Sequence, residues 1–292
     1  MTIIITLVAR EDGPPITNAL VNKVRDQFSA GEPAWLAEGF ACDLLSQGNL
    51  EQLQKLARIS EATKVLDIFV QPIANRRKRL LLADMDSTIV TGETLDELAK
   101  HAGLKEKISE ITAKAMRGEL DFESALHARV SMLKGLSEDA LHRTWRETQL
   151  TAGARELVQT MSAHGAHCIL ISGGFSFFTD RVAKKVGFHE AFGNELLIEE
   201  GYLTGFVQEP IIDRNTKLTI LEEKILRLDI DRSECIAVGD GANDIPMITA
   251  AGIGVAFHAK PLVEQNAPAA VHFGDLTTLL YMQGFKKHEF CR

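Results

Sequence analysis

Leu80-Leu81-Leu82-Ala83-Asp84-Met85-Asp86-Ser87-Thr88 is the stretch whose reading decides the fold. Its apolar half follows the basic residues Arg76-Arg77-Lys78-Arg79. So short an apolar run reads as a strand buried on both faces of a parallel sheet. Such strands present their chemistry at the carboxyl end, where loops meet a crevice. Two carboxylates one residue apart at that tip are costly unless a cation neutralises them. A hard divalent cation with oxygen ligands is the simplest neutraliser. The stretch therefore points to a metal site and a nucleophile on a strand tip. A DxD pair alone is weak evidence. Asp229-Ile230-Asp231 is a second one, after Leu226-Arg227-Leu228 at the end of an amphipathic helix, and reads as solvated. Asp84 and Asp86 differ from it by the apolar strand before them and the hydroxyl pair Ser87-Thr88 behind.

The 292 residues suffice for two domains with ample core. Hydrophobic residues make up 45% and charged residues 25%, an ordinary globular balance. A formal net charge of -8 disfavours generic binding to nucleic acid or an anionic membrane. The basic run from Asn75 to Arg79 is too short to reverse that and reads as an exposed linker. Cys42, Cys168, Cys235 and Cys291 form no CxxC pair, so a thiolate metal site is not expected. Cys168 and Cys235 read as buried thiols in strands, which fits a reducing compartment. The start, Met1 to Leu7, lacks the basic region of a signal peptide, and no apolar run approaches a membrane span. A cytoplasmic location is expected.

Upstream of the deciding stretch, Thr2–Val8 reads as a strand and Ile16–Phe28 as a helix. Pro33–Leu45 has room for two short strands, Leu50–Ile59 reads as a helix and Lys64–Val70 as a closing strand. That order makes residues 1–75 a small α+β module. It resembles the ACT-like modules that precede some amino-acid biosynthetic enzymes. Ligand sensing, plain packing and dimerisation are all open for it, and a homodimer is open as an assembly.

Downstream, Leu95–His101, Lys105–Arg117, Phe122–Leu133 and Ser137–Thr148 read as helices punctuated by Gly103, Gly118 and Gly135. They are too many for a simple crossover and look like an inserted helical cap, about residues 93–150. Then an α/β rhythm returns. Helices are expected over Ala154–Ala163, Ser176–Val186 and Thr216–Leu228. Strands are expected over His167–Ile171, Cys235–Val238, Ile253–Ala256 and Val271–Phe273, with a hairpin turning at Glu199-Glu200-Gly201. The fold class is α/β, a doubly wound parallel sheet over residues 76–292.

Three further stretches stand at expected strand ends or helix starts. Ser172-Gly173-Gly174 lets backbone N–H groups approach an anion, or is simply a turn. Lys217 lies in the first turn of a helix, where a cation opposes the dipole, so it is either functional or merely exposed. Gly239-Asp240-Gly241-Ala242-Asn243-Asp244 offers oxygen ligands for Mg²⁺, or is an Asx-rich turn.

The ordered set DxDST, SGG, Lys, GDGxND resembles the haloacid dehalogenase superfamily of aspartate-nucleophile phosphatases, from about Lys78 to the C-terminus. The cap resembles the phosphoserine phosphatase branch. Glu93-Thr94 matches its ET dipeptide, Met116 to Phe122 its M-x-G-x-x-x-F pattern, and Arg129 its cap arginine. The resemblance implies Asp84 as nucleophile and Asp86 as general acid/base. It implies one Mg²⁺ on Asp84, the Asp86 backbone carbonyl and Asp240, supported by Asn243 and Asp244. Ser172, Gly173 and Lys217 would hold the phosphoryl group, with Asn243 also near the substrate. Glu93 would take the ammonium of phosphoserine and Arg129 its carboxylate, with Phe122 and Met116 as an apolar wall. Two alternatives stay open: a phosphatase or phosphotransferase for another small phosphomonoester, and a non-catalytic amino-acid sensor on a phosphatase scaffold.

Overall fold

The computed structural model describes residues 2–116 and 119–291, without the side chains of Ala113, Ala115 and Met116. The expected contact of Met116 with substrate, and Arg117 and Gly118 of the cap pattern, thus fall outside the described residues. The first unit is β1 (Ile3–Ala9), α1 (Asn18–Gln27), β2 (Ala34–Ala37), β3 (Ala41–Ser46), α2 (Leu50–Ile59) and β4 (Leu66–Pro72). Its strands form an antiparallel sheet in the order β2-β3-β1-β4. Asn49 and Thr17 cap the two helices by accepting from the backbone N–H three residues on.

β5 (Leu80–Ala83) opens the second unit, and all four of its residues are fully buried. The chain then leaves for α3 (Thr94–His101), α4 (Lys105–Met116), α5 (Phe122–Ser131) and α6 (Asp139–Glu147). It leaves and returns through paired connectors: Thr91 N–H donates to Gln149 O and Thr151 N–H to Ile89 O. After α7 (Ala154–Ala163) come β6 (His167–Phe175), α8 (Ser176–Val186), β7 (Glu190–Asn194), the hairpin β8 (Leu196–Glu199) and β9 (Tyr202–Val207), and α9 (Arg214–Leu228). The chain closes with β10 (Cys235–Gly239), α10 (Ile245–Ala250), β11 (Ile253–Phe257), α11 (Pro261–Asn266), β12 (Ala269–Val271) and α12 (Thr278–Met282).

The six-stranded sheet runs β12-β11-β10-β5-β6-β7, every pair parallel. From β5 the chain winds outward through β6 to β7, then crosses back to β10 and winds the other way. β5 and β10 flank the reversal point, where an open α/β sheet forms its crevice. β7 went unread in the sequence because Glu190-Ala191-Phe192-Gly193-Asn194 lacks a β-branched run, and its place at the sheet edge demands none. The helices α10 to α12 are too short for a periodicity to show.

The basic run is not the exposed linker expected. The Arg76 side chain is only 12% exposed and donates through Nη1 and Nη2 to both oxygens of Asp43, at 2.6 Å each, and through Nε to Met282 O at 2.8 Å. Lys78 is buried and donates to Asn75 O and Ser233 O. Asn75, Arg77 and Arg79 keep substantial exposure. The reason is the second face of the N-terminal sheet. Ile3, Ile5 and Leu7 of β1 pack under the module's own helices, while Val8 of β1 and Phe69 of β4 join the main core of the second unit. Asp67 of β4 caps the chain after β12, accepting from the N–H groups of His272, Phe273 and Gly274. The module is docked through buried contacts, and the linker supplies cations to that junction.

Asp229 and Asp231, expected to be solvated, are exposed. Asp229 ends α9 in the left-handed region at φ 47°, and Asp231 caps the next short turn. Among the described residues no helix is long and apolar enough to cross a membrane.

Candidate active site

β5 stays paired with β10 up to its last peptide, Asp84 N–H donating to Val238 O at 3.0 Å. Beyond it the chain makes a wide turn, closed by Val90 N–H on Met85 O and Ser87 N–H on Gly92 O. Ser87 sits in the left-handed region at φ 54°, an uncommon state for a residue with a side chain. This turn sends Asp84 and Asp86 in different directions.

Asp84 is buried. Its Oδ1 accepts from Lys217 Nζ at 2.5 Å, and the same ammonium donates to Asp244 Oδ1 at 2.7 Å. Lys217 is brought there by α9, whose start is set by Asp213. That carboxylate accepts from the N–H of Asn215 and Thr216, while Asp213 N–H donates to Thr216 Oγ1. The Lys217 side chain is 1% exposed, and the two carboxylates hold its ammonium more firmly protonated than usual despite burial. Its place against the helix dipole is offset by those two partners. Asp244 is wholly buried, with Oδ2 accepting from Gly241 N–H at 3.0 Å. It folds beneath β10 so closely that any side chain at Gly239 would collide with its carboxyl.

Oxygens of Asp84, Asp240 and Asp244 all lie within 4.8 Å of one another. Burial, then the charge of Asp244, push the Asp84 carboxyl well above the usual range and Asp240 up to about 6. Asp84 and Asp244 share the Lys217 ammonium, while Asp240 has no bonded cation among the described residues and feels Lys260 and Lys217 only through space, so the site is short of positive charge. An all-oxygen donor set with surplus negative charge suits a hard divalent cation. The carboxylate of Asp86 stands apart from this cluster. The third carboxylate in it is Asp244.

Asp86 turns towards the cap. Its Oδ1 accepts from Thr94 N–H at 2.8 Å, at the start of α3, and its Oδ2 accepts from Ser172 Oγ at 3.3 Å. Burial, then the charge of Glu93, push its carboxyl up to about 7, against the pull of those hydrogen bonds. Ser172 Oγ also accepts from Gly174 N–H at 2.8 Å. A Cβ on Gly174 would meet Asp86 Oδ2 at 2.8 Å, so this loop needs glycine for close approach.

Of the residues expected in the cap, Glu93 and Phe122 reach this end of the sheet. Glu93 begins α3 and accepts from Ser87 Oγ at 2.8 Å. The Phe122 ring lies against Gly173, with Cζ 2.9 Å from where a Cβ would be. Arg129 on α5 is half-buried, and that burial lowers its proton affinity. Its Nε donates to Ala125 O at 3.1 Å and its Nη1 to Thr112 Oγ1 at 3.5 Å. Among the described residues no carboxylate is paired with it. Asn243 folds over Gly241 beside the acidic cluster. One buried polar group at this end was not foreseen: Asn194, at the tip of the unread strand β7, bonded to Gly173 O.

A family model described as haloacid dehalogenase-like hydrolase matches residues 81–249. A phosphoserine phosphatase of Archaeoglobus fulgidus is 44% identical over 242 residues, 82% of this chain and 70% of that one. The crystal structure of a haloacid dehalogenase family hydrolase from Salmonella enterica serovar Typhi superposes with a TM-score of 0.84 at 27% identity, covering 97% of this chain and 98% of that one. A substrate-bound phosphoserine phosphatase structure has a TM-score of 0.66 at 38% identity, covering 70% and 97% respectively.

Proposed function

The chain belongs to the haloacid dehalogenase-like hydrolases, and from that premise we propose how it works: it hydrolyses O-phospho-L-serine to L-serine and phosphate, the last step of serine biosynthesis, with Asp84 as nucleophile. One observation carries this reading. Asp84 and Asp86 leave the same strand tip but enter different environments, one held by an ammonium and the other by hydroxyl and amide donors. Two carboxylates with separate surroundings can take separate roles.

Phosphate monoesters hydrolyse extremely slowly unaided, and a covalent route divides the barrier. Asp84 attacks phosphorus, the serine oxygen leaves, and an aspartyl-phosphate forms. Asp86, whose carboxyl is pushed up to about 7 and so holds a proton in a good fraction of molecules near neutral pH, gives that proton to the departing oxygen. Then, as carboxylate, it takes a proton from the water that attacks the aspartyl-phosphate, which returns Asp84 and releases phosphate. Lys217, Ser172 and the Gly173 N–H hold the phosphoryl oxygens as charge shifts onto them. Mg²⁺, held by Asp84, Asp240 and the Asp86 carbonyl with Asp244 and Asn243 beside it, would neutralise charge between nucleophile and phosphate.

Glu93 takes the substrate ammonium and Arg129 its carboxylate, with Phe122 closing the apolar side. On this reading residues 76–292 are the catalytic unit, the cap at about 93–150 covers it, and residues 1–75 are a docked module. The four cysteines are free thiols, which fits the cytoplasm.

The test is phosphate release from L-phosphoserine with and without Mg²⁺, against a panel holding a sugar phosphate, phosphohomoserine and p-nitrophenyl phosphate. The expected result is a marked preference for L-phosphoserine that chelation abolishes. Equal kcat/KM across the panel would remove the substrate assignment, and undiminished activity in a chelator would remove the metal.

A further inference from the structure

β6 and β7 pair regularly up to Ile171 and Phe192, then resume at Phe175 and Asn194. Four steps on β6 therefore face two on β7. The surplus is the Ser172-Gly173-Gly174 loop, which bows out towards Asp86. Where it bows out, it leaves the ladder and loses those backbone partners. The Asn194 side chain stands in the gap. It is 2% exposed, and every polar atom of its amide is used. Nδ2 donates to Gly173 O at 2.8 Å and to Ile212 O at 3.4 Å, while Oδ1 accepts from Ile212 N–H at 2.7 Å.

The two segments it joins carry different parts of the site. Gly173 O belongs to the peptide between Gly173 and Gly174, whose N–H donates to Ser172 Oγ. Two glycines make this the most freely rotating peptide in the loop. Asn194 holds its carbonyl end and Ser172 its N–H end, so it cannot flip without breaking both bonds. Ile212 directly precedes Asp213, the residue that sets the start of α9 and so the position of Lys217. The Gly173 N–H lies in the preceding peptide, one Cα away, so this buried amide sets where Gly173 as a whole stands relative to the helix that supplies the lysine.

We infer that Asn194 is a positioning residue for phosphoryl transfer, fixing the Gly173-Gly174 peptide relative to Lys217. This rests on the phosphatase reading above but not on the choice of phosphoserine as substrate. Asn194 touches neither substrate nor reacting atoms. It lowers the cost of holding donors where charge develops. Losing it should therefore reduce kcat rather than weaken ground-state binding.

The test compares Asn194→Ala and Asn194→Asp with the wild type on L-phosphoserine and on p-nitrophenyl phosphate, at a temperature where circular dichroism shows each variant folded. Donors displaced by a fraction of an ångström should cost about 10- to 100-fold in kcat on both esters, with KM changed by less than about threefold. A folded Asn194→Ala with wild-type kcat overturns the inference. So does a rise in KM on L-phosphoserine alone, which would place the effect in the cap.

Asn194→Asp keeps the acceptor for Ile212 N–H and can donate to Gly173 O only when protonated. Its kcat relative to wild type should rise as pH falls, whereas a merely structural role would leave that ratio flat. This variant carries the test if the alanine variant does not fold. A wild type inactive on both esters would defeat the phosphatase reading itself, since the inference concerns only ratios between variant and wild type.

Discussion

Replacing Arg129 with methionine isolates substrate choice from chemistry. The guanidinium is half-buried on α5, steadied by Ala125 O and Thr112 Oγ1, and has no carboxylate partner among the described residues. It is a partly desolvated cation whose partner, on our reading, arrives with the substrate. A bidentate, charge-assisted contact of that kind contributes about 2–4 kcal/mol. At a factor of ten per ~1.4 kcal/mol, its removal lowers kcat/KM for L-phosphoserine by about 30- to 700-fold. The contact is the same in ground and transition states, so most of the loss should enter KM. p-Nitrophenyl phosphate has no carboxylate and should change by less than about twofold, since nothing at Asp84, Asp86 or Lys217 is disturbed. The assay is steady-state phosphate release on both esters, with thermal unfolding to confirm the fold. Methionine keeps the apolar stem of the arginine and loses the hydrogen bonds to Ala125 O and Thr112 Oγ1, a stability cost of about 1–2 kcal/mol. Equal losses on the two esters would refute a carboxylate-binding role.

Other perturbations reach other parts of the molecule. Asp84→Asn should abolish turnover and the acid-stable phosphoenzyme trapped from radiolabelled substrate, and normal turnover would end its assignment as nucleophile. Arg76→Met strands the buried Asp43 with Thr6 as its remaining side-chain donor. The expected loss is about 3–5 kcal/mol, a fall in Tm of roughly 6–20 °C with kcat retained, and an unchanged Tm would show the junction to be unimportant to stability. Burial pushes the Lys78 ammonium from 10.5 down to about 8. Its folded pKa is thus below the unfolded one. The cost is fully present below about pH 8 and is relieved as pH rises towards 10.5, so wild type should gain about 2–3 kcal/mol on Lys78→Met across that window. A constant difference by denaturant titration would contradict a desolvated lysine.

The parallel sheet and its reversal point were legible because local chemistry and global position agree. Leu80 to Ala83 is apolar throughout because β5 is buried on both faces, and Asp84 follows because a strand tip is where a buried carboxylate can meet a cation. The residues at the tips of β5, β6 and β10 and at the start of α9 were readable for the same reason: glycine, aspartate and lysine are costly there without a task. The cap helices were readable from their glycine punctuation.

What sequence could not reveal were partnerships between distant segments. Arg76 and Lys78 carry no local mark distinguishing them from a solvated linker. They are drawn out of solvent only because the N-terminal sheet lays its second face on the second unit, which brings Asp43 and Met282 to the arginine. The carboxylate grouping at the site is likewise tertiary. Asp86 follows Asp84 by two residues, yet the turn through Ser87 carries its carboxylate away and leaves Asp244, from another strand end, beside Asp84. Asn194 shows the same limit, an ordinary polar residue on an unremarked edge strand. By itself the sequence determined which side chains could do the chemistry, since burial pattern and residue type are local. Which of them share a proton, a cation or a hydrogen bond was decided by the tertiary structure, because those couplings depend on ångström distances between residues far apart in the chain.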